Sequence, residues 1–397
     1  MTRAATHHDV VCVGGAMTAS SVAYWLGESE DFDGSIAVVE ADTSYSSAMT
    51  TRAQNSIREQ FTSPLNRSLS RFGMEFIADF HSNVEVEGVS PELNFRGTGY
   101  LFLAADDDHL GRMAHDAVEM RAAGADVSML GPEELADRFD WLDATRVAGG
   151  RLGGPREGSF DGWALFHGMR RRAIHRGATY LDDRVVGLDV DGGRVTGVRL
   201  ASGATLGCRW VVNAAGCRAP EVASMAGVEL PIEPRSRTSF VFDCRRPIEG
   251  DVPLTITPDG VHFRREQRHY VCGTVPALDV AVDPSDLAAR VEEFEDLVWP
   301  VLAAYVPRFD RVRVLASWGG QYDFNVIDHN LVVGASAEVD NLLLANGFSG
   351  HGLQQGPAVG RALAEWIVFG EYRTIDLSPF GVDRFARGEP ILESAVI

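Results

Sequence analysis

Hydrophobic positions follow two rhythms along this chain. Residues 9–15, DVVCVGG, are an apolar run that ends on two glycines, the pattern of a strand buried on both faces. ASSVAYWLGE follows, with Val22, Trp25 and Leu26 at helical spacing, and GSIAVVEAD is a second buried run that ends with Glu40. The first forty residues thus predict strand, turn, helix, strand. Helical spacing also marks residues 65–83, DDDHLGRMAHDAVEMRAAGA, the stretch opened by the proline of LGPEEL, GSFDGWALFHGMRRRAIHRGA, and residues 285–305. Strand patterns mark FRGTGYLFLA, the run from TYLDD to WVVNAAG with turns at DGG and ASG, and several segments of 235–275. NLLLANGFSGHGLQQGPAVGRALAEWIVFG reads as strand, Gly-rich turn, helix. There is no fixed-period repeat and no low-complexity linker. Strand–turn–helix elements stand at both ends and a matching strand lies mid-chain. One sheet must therefore gather distant segments, and the β-rich stretches between them form a second domain.

The turn after the first strand decides what this sheet could hold. The dinucleotide-binding spacing G-x-G-x-x-G falls on Gly14, Ala16 and Ala19. Small residues here let the backbone approach a pyrophosphate at the helix N-terminus, and an acid at the end of the next strand accepts from ribose hydroxyls. Glu40 is such an acid. Alanine is tolerated at the third position, but Ala16 puts a methyl group beside the phosphate. On its own the turn is either an altered phosphate cradle or an ordinary strand–turn–helix.

Composition narrows the classes. At 397 residues the chain is long for one core and suggests two domains. A hydrophobic fraction of 45% and a charged fraction of 23% are those of a soluble globular protein. No apolar run reaches membrane-span length, and the start lacks a basic-then-apolar signal segment, so the expectation is a cytoplasmic protein with no membrane span. The five cysteines, Cys12, Cys208, Cys217, Cys244 and Cys272, form no C-x-x-C pair and read as small core residues. A net charge of −20 disfavours nucleic acid, and the acidic runs ESEDFD and EEFED read as solvated surface. All 36 basic residues are arginines, so no Schiff-base lysine exists and pyridoxal-phosphate chemistry is excluded.

Taken together, VCVGGAMTASSVAYWL, AVVEAD, RVVGL…RVTGVRL…WVVNAAG and GFSGHGLQQGPAVGRALAEWI resemble the D-amino-acid oxidase superfamily of flavoproteins, the group that includes sarcosine and glycine oxidases. Within it, TSYSSAMTTRAQNSIREQF, SWGGQYDFNVIDHN and TIDLSPFGVDRF are most similar to the mitochondrial complex I assembly FAD oxidoreductase and its bacterial relatives. The resemblance implies an α/β fold: a Rossmann-like FAD-binding domain (1–85, 155–225 and 328–397) interleaved with a β-rich α+β substrate domain (86–154 and 226–327). It implies FAD over Gly14, Gly15, Ala16 and Met17, with Glu40 and Ala41 toward the adenosine and the backbone of Val185 at the adenine. Ala214, Ala215 and Gly216 form a second wall. Ser47, Ala48, Thr50 and Thr51 run beside the pyrophosphate and flavin. Gly347, Gly350, His351, Gly352, Leu353 and Gln354 open the last helix, whose amides stabilise negative charge at the flavin.

The resemblance also implies a substrate site. Arg58 matches the arginine that holds substrate carboxylate in sarcosine oxidases, a role suited to a forked guanidinium. Tyr322 stands where the family pattern WAGLR has arginine, and Gln354 where SGHGFK has lysine, so Tyr322, His351 and Gln354 line the pocket with fewer charges. One of Arg264 and Arg265 is a further candidate. The covalent-flavin positions are Gly319 or Gly320 and Thr50 or Thr51, none able to form that bond, so FAD is expected to be non-covalent. Val271 or a neighbour replaces the lysine that promotes reaction with O2, which points to a quinone or electron-transfer protein as acceptor. The expected activity is oxidation of a C–N bond in an N-substituted amino acid or secondary amine by hydride transfer to flavin N5. The alternatives are 2-hydroxy-acid oxidation, with His351 as base, and a non-catalytic flavin-binding assembly factor.

Overall fold

The computed structural model describes residues 6–395. Two eight-stranded sheets are built from interleaved segments. The first runs in the order Val332–Ala335, Leu342–Asn346, Thr205–Asn213, Thr6–Val13, Ile36–Glu40, Thr179–Asp182. Thr6–Val13 is parallel to both of its neighbours. Val185–Asp191 and Arg194–Leu200 join as an antiparallel hairpin on the early part of Thr205–Asn213. The central strands are apolar on both faces because both are covered. On one face the helices Met17–Glu28, Pro64–Ala78, Gly162–His175 and Gly352–Phe369 bury Val22, Leu26, Phe76, Phe166, Val359 and Leu363. The other face buries Val11, Val13, Val198, Leu206 and Val222. The first and last of those helices meet closely: a Cβ at Gly360 would stand 2.1 Å from Ser21 Oγ.

The second sheet runs Val312–Asn325, Ile232–Cys244, His269–Gly273, His262–Glu266, Leu254–Ile256, Tyr100–Ala104, Gly149–Gly153, Val127–Leu130. Alternation sends Phe240, Phe242, Phe263, Tyr270 and Cys272 into a core closed by Phe294, Leu302 and Phe309. Ser239, His262, Arg264, Val271 and Gly273 therefore share the opposite face.

Three predicted elements differ in extent. The helix over 65–83 breaks at Asp79 into Pro64–Ala78 and Phe80–Val84. The helix over 285–305 begins only at Phe294, because Asp283 and Asp286 accept from the backbone amides of Ser285 and Ala288 and fold that stretch into turns. FRGTGYLFLA is strand only over Tyr100–Ala104, since Gly97 and Gly99 approach other backbone too closely; a Cβ at Gly97 would lie 2.0 Å from the Pro155 carbonyl oxygen. All five cysteines are buried and unpaired. Among the described residues no helix is long and apolar enough to cross a membrane.

Candidate active site

A cavity of about 820 Å3 opens where the first sheet's parallel strands end and the second sheet faces them, the position where open α/β sheets take ligands. The strand ends make its floor. Gly14 has φ +90 and donates to the Val39 carbonyl at 2.9 Å, while Ala214 donates to the Val13 carbonyl at 2.9 Å. A Cβ at Gly14 would stand 2.5 Å from the Ala214 carbonyl oxygen, so only glycine fits. Glu40 is held by two amides, Gly15 N donating to Oε2 at 2.7 Å and Asp42 N donating to Oε1 at 2.8 Å. The Met17–Glu28 helix starts at Ala16 with no side-chain cap and no acid in its first turn. The Gly352–Phe369 helix, starting at His351, is equally bare. Residues from both N-termini line the same cavity, so it meets two positive helix-dipole ends with no anion of their own.

The loop between them is fixed by its polar side chains. Asp42 accepts from Ser44, Ser46 and Ser47, and these bonds, Ser44's foremost, hold its carboxyl well below the usual range. Arg52 donates to the Ser46 carbonyl at 2.8 Å and the Gly319 carbonyl at 2.7 Å, while Trp318 Nε1 donates to the Arg52 carbonyl at 2.8 Å. These bonds bind the loop to the second sheet and place Ser47, Ala48 and Thr50 on the cavity.

The expected cofactor residues Gly14, Gly15, Ala16, Met17, Glu40, Ala41, Ser47, Ala48, Thr50, Val185, Ala214, Ala215, Gly216, Gly350, His351, Gly352, Leu353 and Gln354 all line this cavity. Two others do not. Thr51 turns its hydroxyl back to the Tyr45 and Ala48 carbonyls at 2.6 and 2.9 Å. Gly347 shapes the turn instead, at φ +70, with its amide on Asp323 Oδ2 at 2.9 Å.

At the far end lies Arg58, only 1% exposed. Its Nη1 donates to the Gln60 carbonyl and its Nη2 to the Ala395 carbonyl; Nη2 also lies 3.1 Å from His351 Nε2, and the guanidinium stacks 3.9 Å from the Phe61 ring centroid. No carboxylate pairs with it directly among the described residues. Burial, then the Arg58 charge, push His351 down to about 3, so this ring is neutral and accepts from Arg58 through Nε2. Glu157, behind Arg58, is pushed up to about 7 by burial, against the bonds it accepts from Gln60 Nε2 at 2.7 Å and Glu59 N at 2.8 Å. Tyr322 lines the cavity and packs on Gly350, where a Cβ would meet the ring at 2.6 Å. Gln354 does less than expected as a pocket polar group: its Oε1 accepts from Arg58 N at 3.0 Å and Ser70 Oγ at 3.3 Å, so it buttresses Arg58 from behind. Arg264 and Arg265 line a smaller neighbouring cavity of about 340 Å3 instead of the large one.

Sequence reasoning missed Gln54, Arg237, Ser239, His262 and Asp323, all of which line the main cavity. Gln54 Nε2 donates to Ser239 Oγ at 3.0 Å and to the Cys272 carbonyl at 3.3 Å, leaving Oε1 for His262 Nε2 at 3.0 Å. Arg237 pairs with Asp279 at 2.8 Å and lies 4.8 Å over the Tyr322 ring. Only alternation along Ile232–Cys244 and its partners, with the pairing register known, could have marked Arg237, Ser239, His262 and Asp323; Gln54 lies in the loop after Met49–Arg52 and carries no periodic signal.

Residues 9–366 match the family model described as DAO, FAD dependent oxidoreductase. The chain belongs to that family. It is 36% identical to FAD-dependent oxidoreductase domain-containing protein 1 of Xenopus laevis, over 98% of this chain and 85% of that protein. It is 28% identical to sarcosine oxidase subunit beta of Rhizobium meliloti (strain 1021), over 96% and 89%. In fold it is similar to L-proline dehydrogenase from P. horikoshii, with a TM-score of 0.86 and 24% identity over 97% of this chain and all of that one. The family member is therefore an FAD-dependent oxidoreductase, and the glycine-only turn and the two bare helix ends fit an anionic dinucleotide.

Proposed function

We propose that this enzyme oxidises the C–N bond of a carboxylate-bearing secondary amine or N-substituted amino acid. The observation that carries the reading is Arg58, a buried guanidinium beside a neutral histidine, on a cavity wall, with no direct carboxylate partner among the described residues. A buried cation lacking its counter-ion is costly, and a substrate carboxylate would supply one. The names of relatives favour the same class: besides the sarcosine oxidase subunit, the chain is 25% identical to 4-methylaminobutanoate oxidase (formaldehyde-forming) of Paenarthrobacter nicotinovorans, over 96% of this chain and 46% of that protein.

Gly14–Met17, Ser47, Ala48 and Thr50 would hold the FAD pyrophosphate, Glu40 its ribose, and the Gly352 helix end the polar edge of the flavin ring. Bound FAD supplies a two-electron, hydride-accepting group. The chain's own residues bind and orient. Arg58 holds the carboxylate, Tyr322 and Phe348 wall the cavity, and the cationic Arg58 and Arg237 favour an amine that arrives neutral. No side chain need then take a proton from nitrogen, and water hydrolyses the imine product. His351 is a poor base for 2-hydroxy-acid oxidation, because Arg58 occupies its Nε2 lone pair.

The test is anaerobic mixing of the FAD-bound protein with sarcosine, N-carboxymethyl amino acids and 2-hydroxy acids. Bleaching of the flavin absorbance by the amines supports the reading; bleaching by hydroxy acids alone overturns it.

A further inference from the structure

Arg58 is held from a direction that the proposed reaction does not use. The segment Ile391–Ala395 lies against the Pro64–Ala78 helix start, and Glu393 within it is fully buried. Its Oε1 accepts from Thr62 N at 3.0 Å, Thr62 Oγ at 2.7 Å and Ala395 N at 3.0 Å; its Oε2 accepts from Ser63 N at 3.0 Å and Asn66 Nδ2 at 2.9 Å. Ser63, the residue before that helix, makes no side-chain cap, and a carboxylate from far along the chain accepts instead from the two amides just before the helix and from the Asn66 side chain in its first turn. The bond from Ala395 N folds the segment into a turn, and the Ala395 carbonyl there accepts from Arg58 Nη2. The second carbonyl on the guanidinium, that of Gln60, accepts from Arg58 Nη1, and Gln60 is itself held by Glu157 and Arg151. The Glu393 carboxylate thus fixes the turn that presents one of the two main-chain carbonyls clamping the guanidinium.

We infer that Glu393 is a positioning residue for substrate carboxylate, acting through the Ala395 carbonyl to aim Arg58 into the cavity. The inference rests on the reading of Arg58 as the carboxylate holder. With the clamp in place the guanidinium is held in one orientation, and a ligand need not spend binding free energy on ordering it.

Three variants of the FAD-bound protein separate this role from simple capping. Glu393→Gln keeps the size but presents an NH2 group to donors. Glu393→Asp keeps the charge with a shorter reach. Ala395→Pro removes the N–H that folds the turn and fixes φ there, while the Glu393 acceptors for Thr62, Ser63 and Asn66 are kept. The probe is anthranilate, titrated by its perturbation of the flavin spectrum, with Tm and FAD content measured alongside. Glu393→Gln and Ala395→Pro should each weaken anthranilate by about ten-fold, the loss of one well-placed hydrogen bond. Glu393→Asp should recover part of that loss. Ala395→Pro should keep its Tm and FAD content, and for sarcosine should raise KM more than it lowers kcat. Unchanged or tighter anthranilate binding in Ala395→Pro would overturn the inference, the tighter result making the segment an obstruction to the site. Arg58→Ala separates the two readings. If it still binds anthranilate, or wild type binds none, the Arg58 reading fails. If only Arg58→Ala loses binding, that reading stands and the role of Glu393 falls.

Discussion

Replacing Arg58 with alanine removes the cation from a site whose other polar groups are neutral or already bonded. Loss of the charge-assisted contact should lower kcat/KM for carboxylated amines by about 30- to 1000-fold while FAD remains bound. Arg58→Lys should rescue little, since an ammonium has only three donors, too few to serve the Gln60 and Ala395 carbonyls, His351 and a ligand together. Steady-state kinetics with FAD content measured on the same samples checks this; loss of flavin with carboxylate binding intact would make Arg58 an ordinary structural cation. The pH dependence follows from two neighbours. His351, pushed down to about 3 by burial and by Arg58, contributes no ionisation near neutrality. Glu157, pushed up to about 7 by burial, does. The groups acting on it are Gln60 and the Glu59 amide, which donate to it, together with the Arg58 and Glu59 charges. Above that value its charge offsets Arg58 and repels an incoming carboxylate; below it the offset is gone. Anthranilate should therefore bind tighter as pH falls through 7, by roughly three- to ten-fold, and Glu157→Gln should flatten the profile. Because the folded-state value is raised, protonated Glu157 favours the fold: its contribution is complete below the unfolded value and lost as pH rises through about 7.

At the scale of elements, periodicity revealed the parts with their own local signal and no others. Val10 to Val13, Val22 to Leu26 and Ile36 to Glu40 carry their burial pattern in consecutive residues, so the strand–turn–helix–strand that opens the cavity could be read directly. The second sheet could not be assembled this way, because its face is set by register between distant strands. Arg264 and Val271 stand several residues apart in sequence, yet they are direct partners across the hairpin and share a face. Helix contacts are likewise invisible until the fold is known. Glu28, at the end of its helix, accepts from Arg172 at 2.6 Å on Gly162–His175 and from Arg176, the residue that ends that helix, at 2.8 Å. Burial alone would raise Glu28, but these two bonds outweigh it and hold the carboxyl at about 2. Its contribution is thus present above the unfolded value of 4.5 and is lost as pH falls toward 2. Glu28→Gln should cost about 1 kcal/mol of stability at pH 7 and almost nothing near pH 2, a difference that urea unfolding at the two values would show. An equal loss at both would mean that Glu28 acts by packing alone.

For the whole molecule, the cavity is where the two interleaved sheets meet, so its contents bear on both. The Gly14–Met17 turn belongs to one sheet, Gly320–Asp323 to the other, and the Arg52 loop bridges them. Without a dinucleotide the two helix N-termini face each other's space with amides unmatched by any acid of their own first turns. A ligand that binds only the folded state adds about 2.7 kcal/mol at one hundred times its dissociation constant. For a chain of this length that corresponds to a Tm rise on the order of several degrees. Gly319 and Gly320 carry no cysteine or histidine, and at Gly319 a Cβ would already stand 2.5 Å from the Leu287 and Ala288 carbonyl oxygens. Thr50 and Thr51 offer no attachment atom for flavin either. The expected outcome has two parts. Acid precipitation should release all the flavin as FAD into the supernatant, and protein stripped by mild means should melt several degrees lower, recovering with added FAD in a concentration-dependent way. Yellow colour retained in a washed, denatured pellet would contradict the first part. A Tm unmoved by saturating FAD would contradict the second and leave the bare helix ends without their anion.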